Sequence, residues 1–163
     1  MAAINADPEV TRFLGPSSRR GSAFDFYTEV TGHWTEYGFG FWAVESRASG
    51  ELLGFTGVWY PTFVPELADR PEIGWRLAHH AWGRGLATEA ALVAREHAFA
   101  RLQLPALISI IHPDNVRSQR VAAKLGMGVW RHVTGLEVWR VERGAGSVPS
   151  PGDGGDGQSN DVG

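Results

Sequence analysis

The stretch that most constrains this sequence runs from Glu72 to Ala91 and reads EIGWRLAHHAWGRGLATEAA. Its first part, Glu72–Leu77, predicts a short strand. Gly83 and Gly85 then mark a turn, and a helical pattern begins at Leu86. The first N–H groups of a helix have no partner within it, which suits an anion, and glycines let the backbone approach that anion closely. The stretch therefore predicts a phosphate-binding turn between a strand and a helix.

Composition limits the class of protein. The chain has 163 residues, of which 43% are hydrophobic and 20% charged, as is typical of one soluble globular domain. No apolar run reaches the roughly 18 residues of a membrane-spanning helix, and the start MAAINADPEV lacks the regions of a secretory signal. Without cysteine, disulfides and thiolate sites are excluded. A net charge of −3 argues against nucleic-acid binding, and a cytoplasmic location is the default expectation.

Hydrophobic periodicity predicts the elements before the central stretch. A short helix is expected to begin at Asp7 and to end near Gly15. A second helix is predicted over Ser22–Trp34, because apolar residues recur there every four positions. Phe39–Glu45 and Glu51–Tyr60 are predicted strands, and the short Gly-containing connection between them indicates an antiparallel hairpin.

The elements after the turn are predicted in the same way. They are a helix from Leu86 to about Leu102, a strand at Ala106–Ile111, a helix capped by Asp114 or Asn115 and ended by Gly126, and strands at Gly128–Val133 and Leu136–Glu142. Alanines line one face of the first of these helices and would let it lie close to a sheet. Residues 144–163 are almost devoid of apolar side chains and predict a disordered tail after a domain of residues 1–143. The order of elements indicates a mixed α/β or α+β fold.

The Gly-rich turn by itself is weak evidence for any particular ligand. Gly83-x-Gly85 is compatible with a dinucleotide-binding unit, but Thr88 stands at the third glycine position. No acidic residue ends a strand about 20 positions later, as ribose binding requires. The sequence also lacks the Gly-Lys-Ser/Thr of a Walker motif. A dinucleotide-dependent oxidoreductase is therefore the least favoured alternative.

A second motif identifies a family. NVRSQRVAAKLGM, from Asn115 to Met127, follows WGRGLATEA by some thirty residues. The two motifs in this order resemble the GCN5-related N-acetyltransferase (GNAT) superfamily, and within it the branch of ribosomal-protein-alanine acetyltransferases. NADPEV, EIGWRL and the hairpin match that branch in order. The likeness covers roughly residues 4–142.

The resemblance implies an acyl-CoA N-acyltransferase fold, with a central mixed sheet flanked by helices and two splayed strands that hold acetyl-CoA. Glu72–Leu77 and Ala106–Ile111 would be those strands. Relatives carry a first strand and most of a helix before their counterpart of NADPEV. We therefore expect the N-terminal strand to be missing here, either because the start of the sequence is truncated or misplaced or because the protein lacks this edge strand. The positions that match cofactor-binding residues are Leu77 and Ala78 for the pantetheine arm, Gly83, Arg84, Gly85, Leu86, Ala87 and Thr88 for the pyrophosphate, and Asn115 for the cofactor arm.

The implied reaction is direct attack of a primary amine on the thioester of acetyl-CoA. Such a reaction needs a base for the ammonium proton and dipoles for the oxyanion. Glu72 is the candidate base, with a surface carboxylate at a strand end as the alternative. Ser118 is the candidate donor to the thiolate, with a hydrogen bond in the first helical turn as the alternative. Many relatives have a tyrosine where this chain has Ala122, which keeps a catalytically silent acyl-CoA-binding module as a competing hypothesis.

The histidines have simpler interpretations. His79 and His80 are adjacent and cannot share a helix face as metal ligands, so they are predicted to be exposed turn residues and no metal is expected. His80 also stands where relatives usually carry Gln or Arg at the start of the phosphate loop. His112 is assigned to packing, with proton transfer as the alternative.

The acceptor amine is left open by the sequence, as a small molecule or a protein N-terminus. The loop Pro61–Pro71 and the helix Ser22–Trp34 are expected to shape its pocket, together with one or two of the tryptophans. Glu66 and Asp69 in the loop favour a cationic amine. No nucleic acid or membrane partner is expected, and a homodimer stays open.

Overall fold

The computed structural model describes residues 1–15 and 23–145. Ser22, the predicted helix cap, and nearly all of the predicted tail therefore lie outside the described residues. Within them the elements in chain order are α1 (Ala2–Ala6), α2 (Pro8–Thr11), α3 (Ala23–Tyr37), β1 (Phe41–Glu45), β2 (Leu52–Trp59), β3 (Glu72–Leu77), α4 (Leu86–Ala100), β4 (Ala106–Ile111), α5 (Val116–Lys124), β5 (Gly128–Val133) and β6 (Leu136–Glu142). No helix of these residues is long and apolar enough to span a membrane.

The six strands form one sheet in the order β1-β2-β3-β4-β6-β5. β3 and β4 are parallel, whereas every other neighbouring pair is antiparallel. The parallel pair is in register at Glu72 and Ile108, where the Ile108 N–H donates to Pro71 O at 3.0 Å. Beyond that point the two strands separate. The mixed sheet with a splayed central pair confirms the predicted fold class.

Small residues bring α4 close to one face of the sheet. Ala91, Ala94 and Ala98 are fully buried and pack in a core with Ile73 of β3 and Leu107 of β4. The alanine stripe predicted from the sequence therefore has the expected role. Along β3, residues alternate between the two faces, so the neighbours of Ile73 point away from α4.

The predicted boundaries differ most in the N-terminal helices. Asp7 caps α2 by accepting the Glu9 N–H at 2.9 Å, but the helix ends at Thr11, earlier than the predicted end near Gly15. α3 continues to Tyr37, past the predicted end at Trp34, and stops where Gly38 adopts a φ of 73°. Only glycine takes that left-handed conformation without cost, so the helix ends there.

Candidate functional site

The separation of β3 and β4 opens a cleft of about 540 Å³. Its wall includes both strands, the N-terminal ends of α4 and α5, and side chains from α1 and α3. The two faces of the sheet are thus connected through the gap. On one side lie the helix N-termini of α4 and α5, and on the other lie α3 and the N-terminal helices.

The turn before α4 leaves backbone donors free. Gly83 and Gly85 have φ angles of 74° and 79°, which explains glycine at both positions. Gly85 caps the helix without a side-chain hydrogen bond, and its carbonyl accepts the Glu89 N–H at 3.0 Å. The N–H groups before Glu89 therefore have no intrahelical acceptor. The predicted phosphate-loop residues that line the cleft are Gly83, Gly85, Leu86, Ala87 and Thr88, whereas Arg84 is exposed beside them.

Three cations of α5 face the same part of the cleft. Arg117, Arg120 and Lys124 line it, and the Arg117 guanidinium lies 4.7 Å from the ring centre of Trp82. None of the three was predicted from the sequence. Their spacing of three and four positions, which places side chains on one helix face, is the signal that predicts such a cluster. Free amides and these cations together favour an anion at this end of the cleft.

The start of α5 brings two predicted residues together. The Asn115 side-chain carbonyl accepts the Ser118 N–H at 3.2 Å, so Asn115 is the cap and Asp114 is not. The amide nitrogen of Asn115 is then available to a ligand. Both residues line the cleft, and the Ser118 hydroxyl makes no hydrogen bond within the described part of the chain.

The end of β3 offers one backbone donor to the gap. The Ala78 N–H donates to Leu53 O at 2.8 Å and is therefore occupied within the sheet. Because backbone groups alternate between the two edges of a strand, the Leu77 N–H points toward the gap. The Leu77 carbonyl accepts the indole N–H of Trp82 at 2.9 Å. Of the two predicted pantetheine contacts, only Leu77 presents a free N–H.

Glu72 lies at the point where the strands part, and it is only 7% exposed. Its Oε2 accepts the indole N–H of Trp59 at 3.0 Å, and its Oε1 accepts the Ile110 N–H at 3.2 Å. In a continued parallel ladder, the Ile110 N–H would bond to the carbonyl of Ile73. The carboxylate replaces that carbonyl and so satisfies the donor that the splay exposes. Because Glu72 is buried, it is not the surface carboxylate at a strand end that was the alternative interpretation.

Burial also changes the acidity of Glu72. Desolvation raises its pKa from 4.5 to about 7, against the opposing effect of the hydrogen bonds from Trp59 and Ile110. A carboxyl with a pKa near 7 is ionised in a large fraction of molecules at neutral pH and is still basic enough to take a proton. Glu72 is one of the residues that line the cleft.

An aromatic row lines the cleft on the α3 side. Ring centres lie 5.0 Å apart for Trp59 and Phe41, 4.7 Å for Phe41 and Phe55, and 5.1 Å for Phe55 and Phe26. Gly74 of β3 makes room for it, since a Cβ there would lie 3.3 Å from the Phe41 ring. Helix α3 contributes Phe26 to this row.

The loop before β3 contributes differently from the prediction. Among the described residues that line the cleft, the loop supplies Phe63. Glu66 and Asp69 are exposed and lie outside the lining, and Asp69 is 4.0 Å from Arg70. The acids that do line the cleft are Glu9, Asp25 and Glu29, together with Glu72.

The histidines separate into two groups. His79 and His80 are exposed, and His80 lies 3.0 Å from Glu51. His112 lines the cleft, packs 5.4 Å from the Phe13 ring and accepts the Asp114 N–H through Nδ1 at 3.1 Å. Within residues 1–15 and 23–145, no three His, Asp or Glu side chains are grouped as metal ligands.

Comparison with known proteins shows which proteins this chain resembles in sequence and in fold. The chain is 36% identical over 94 residues to the uncharacterised protein YkkB of Bacillus subtilis, a match that covers 56% of this chain and 52% of that protein. It thus spans about half the length of this relative. The solved structure of an acetyltransferase from Agrobacterium tumefaciens has a TM-score of 0.72 and 27% identity, and the match covers 86% of this chain and 82% of that one.

A more distant structure shares the fold alone. The spermidine N-acetyltransferase from Vibrio cholerae, solved in complex with CoA and spermine, has a TM-score of 0.70 at 13% identity, with 88% of each chain covered.

The family model described as an acetyltransferase (GNAT) domain matches residues 1–128. These matches do not distinguish the ribosomal-protein-alanine branch, which stays a prediction. Since the family model spans well over half of the chain, this protein belongs to the GNAT acetyltransferase family.

Proposed function

We propose that this protein is an acetyl-CoA-dependent N-acetyltransferase that acts on a primary amine. The observation that carries the proposal is the cleft itself. It joins a turn with free amides at one end to a buried carboxylate, Glu72, at the point where β3 and β4 part. A thioester held along the gap would present its carbonyl carbon between the two.

The donor end of the cleft suits coenzyme A. The pyrophosphate would lie on the amides from Gly83 to Thr88, with the α5 cations around it. The pantetheine arm would pair with the Leu77 N–H, and the Asn115 amide would contact the same arm. Coenzyme A fits this end because several of its N–H donors have no acceptor in the described structure. The phosphates and amide carbonyls of the ligand would accept hydrogen bonds from those donors.

Glu72 would act as the general base. It takes a proton from the ammonium form of the acceptor, and the neutral amine attacks the thioester carbon. The new C–N bond forms as the C–S bond breaks, and the thiolate leaves with the electron pair of that bond. The nitrogen then loses its second proton to the departing thiolate, which leaves as the thiol of coenzyme A. Ser118, whose hydroxyl has no partner in the described structure, would donate a hydrogen bond to the departing sulfur.

Two measurements test this function. Acetyl-CoA should raise the melting temperature of the protein, because a ligand that binds only the folded state stabilises it. Release of free coenzyme A should then require an amine from a panel of small molecules and peptide N-termini. Stabilisation without thiol release from any amine would support the silent binding module, and no stabilisation by acetyl-CoA would refute both hypotheses.

A further inference from the structure

Arg76 is a cation of the cleft that the transfer reaction leaves without a role. It lies on β3, partly buried, in the wall of the cleft. Its Nη1 donates to the side-chain carbonyl of Asn5 at 2.9 Å, and its guanidinium lies 5.2 Å from the ring centre of Phe55. Within the described residues, no carboxylate forms an ion pair with it. Desolvation lowers the pKa of Arg76 to about 10.

A half-buried guanidinium without a counter-charge is costly to a fold. Neither of its two contacts supplies a negative charge, since one partner is a neutral amide and the other is an aromatic ring. Arg76 lines the cleft, and Asn5 accepts a hydrogen bond from only one nitrogen of its guanidinium. An anion bound there would supply the missing charge.

The position of Arg76 separates it from the phosphate site. Side chains alternate along β3, and Arg76 shares a face with Glu72 and Gly74. That face carries the aromatic row, α3 and the N-terminal helices, whereas the free amides of α4 and the cations of α5 serve the opposite end. Arg76 is therefore on the side from which the acceptor approaches Glu72.

The two charged residues mark the ends of one surface. Glu72 and Arg76 are four residues apart on an extended strand, which is roughly 13 Å between their Cα atoms. Trp59 contacts Glu72 at one end of the aromatic row, and Phe55, the third ring of the row, lies under Arg76. The surface between them is apolar.

We propose that the acceptor is an amine that also carries a carboxylate, joined by an apolar or aromatic body, and that Arg76 binds the carboxylate while the amine lies at Glu72. This inference rests on the proposed function. A planar guanidinium binds a carboxylate through two parallel hydrogen bonds. The aromatic row contacts the body of the acceptor, and the acids Glu9, Asp25 and Glu29 attract its ammonium group as it enters.

The test compares two acceptors that differ only in charge, para-aminomethylbenzoate and para-aminomethylbenzamide. In the wild-type protein, kcat/KM should favour the carboxylate by roughly tenfold to a hundredfold, the range of a charge-assisted pair. Arg76→Gln should reduce that preference to about one while changing kcat/KM for the neutral amide by less than about threefold. Arg76→Lys should retain part of the preference, because it keeps the charge and loses the fork.

Arg47→Gln is the matched control, because Arg47 is an exposed arginine in the hairpin turn outside the cleft lining. It should leave the preference unchanged. Peptides with Asp or Asn as the second residue distinguish the sources of the carboxylate. A preference for the Asp peptide that Arg76→Gln removes would indicate an acidic protein N-terminus, and a preference confined to the small molecule would indicate a small acceptor whose amine and carboxylate are separated by an apolar body.

Equal kcat/KM for the two benzoic derivatives in the wild-type protein would overturn the inference and leave the transferase function intact. So would an Arg76→Gln variant that loses both activities equally. If no amine is acetylated, intrinsic tryptophan fluorescence still reports binding near Trp59. In that case the carboxylate should bind at least tenfold more tightly to wild-type protein than to Arg76→Gln, and equal binding would again overturn it.

Discussion

The two ends of the cleft are built in different ways. The end proposed to bind the acetyl donor, the donor end, consists of a continuous stretch, the turn at Gly83 and Gly85 and the first residues of α4, with α5 beside it. The end proposed to bind the amine, the acceptor end, consists of side chains from α1, α3, β1, β2 and β3, and its central carboxylate, Glu72, accepts hydrogen bonds from Trp59 and from Ile110 on β4.

The difference lies in the kind of group on which each end depends. Backbone amides bind a phosphate whatever the neighbouring side chains are, so the donor end depends on a turn and two glycines. The acceptor end depends on which side chains meet across the sheet. Substitutions at the two ends should therefore affect different quantities. Those at the donor end should alter the affinity for acetyl-CoA, and those at the acceptor end should alter turnover.

The largest expected effect is at the acceptor end. Glu72→Gln should lower kcat by roughly a hundredfold to ten-thousandfold, the usual contribution of a general base. The dissociation constant of acetyl-CoA should change by less than about threefold, because the donor end is intact. Steady-state thiol release and direct titration of acetyl-CoA measure the two quantities. A variant with full activity at every pH would show that Glu72 is not the base.

The pH dependence of the wild-type protein sharpens the same assignment. The rate should rise with pH up to about 7, the pKa of buried Glu72, and Glu72→Gln should lack that limb. The free energy of unfolding should change with pH in the opposite direction. Below pH 4.5 the group is protonated in both states, and between 4.5 and 7 only the unfolded chain ionises. The free energy of unfolding should therefore fall by about 3 kcal/mol over that window, relative to the variant.

The next effect tests the donor end with a pair of glycines. Gly85 and Gly50 have φ angles of 79° and 70°, and a Cβ meets no neighbouring atom within 4 Å at either position. Alanine should cost about 1 kcal/mol or slightly more of stability at both sites, through the backbone alone. Only Gly85→Ala should weaken acetyl-CoA binding, by about tenfold, because its Cβ would lie where the anion approaches. Equal affinity in the two variants would place the phosphate elsewhere.

A smaller effect is expected from Trp59→Phe. The change removes the hydrogen bond to Oε2 of Glu72 and keeps an aromatic ring in the row. Because that bond holds the pKa of Glu72 down, its loss should move the rising limb of the pH–rate profile to higher pH. The rate at pH 7 should fall by about threefold to tenfold, while the plateau at high pH changes less. If the rising limb stays at the same pH, the hydrogen bond from Trp59 does not influence the pKa of the base.

The smallest effect is expected at the rim of the donor end. Lys124→Gln removes one exposed cation near the free amides and should weaken acetyl-CoA binding by about twofold to threefold at low salt. The difference should shrink at about 0.5 M salt, since exposed charges are screened. Arg47→Gln, which removes an equal charge outside the cleft, should have no such effect.

Much of the fold was predictable from local patterns. The bounds of β3, β4, β5 and β6 agree with the sequence prediction, because each strand lies between strong turn signals. Ala91, Ala94 and Ala98 of α4 face the core, as their spacing indicated. The N-terminal helices were predicted less well, since short helices depend on tertiary contacts more than on propensity.

The candidate site was predictable at one end only. The sequence identified the Gly83–Thr88 turn and Asn115, which are contiguous motifs, and it identified Glu72 through the family resemblance. It missed Arg76 and the α5 cations, and it assigned the acids of the acceptor pocket to Glu66 and Asp69. Those acids lie on an exposed loop, and a count of charges along the chain does not show which of them face a cavity.

The sequence by itself determined the strand, the two glycines and the helix start, because backbone conformation and helix periodicity are properties of neighbouring residues. Tertiary structure alone decided the chemistry of the acceptor end. Arg76 meets Asn5 across 71 positions of the chain, and Glu72 meets Ile110 across 38. The burial that raises the pKa of Glu72 exists only once those distant segments have packed together.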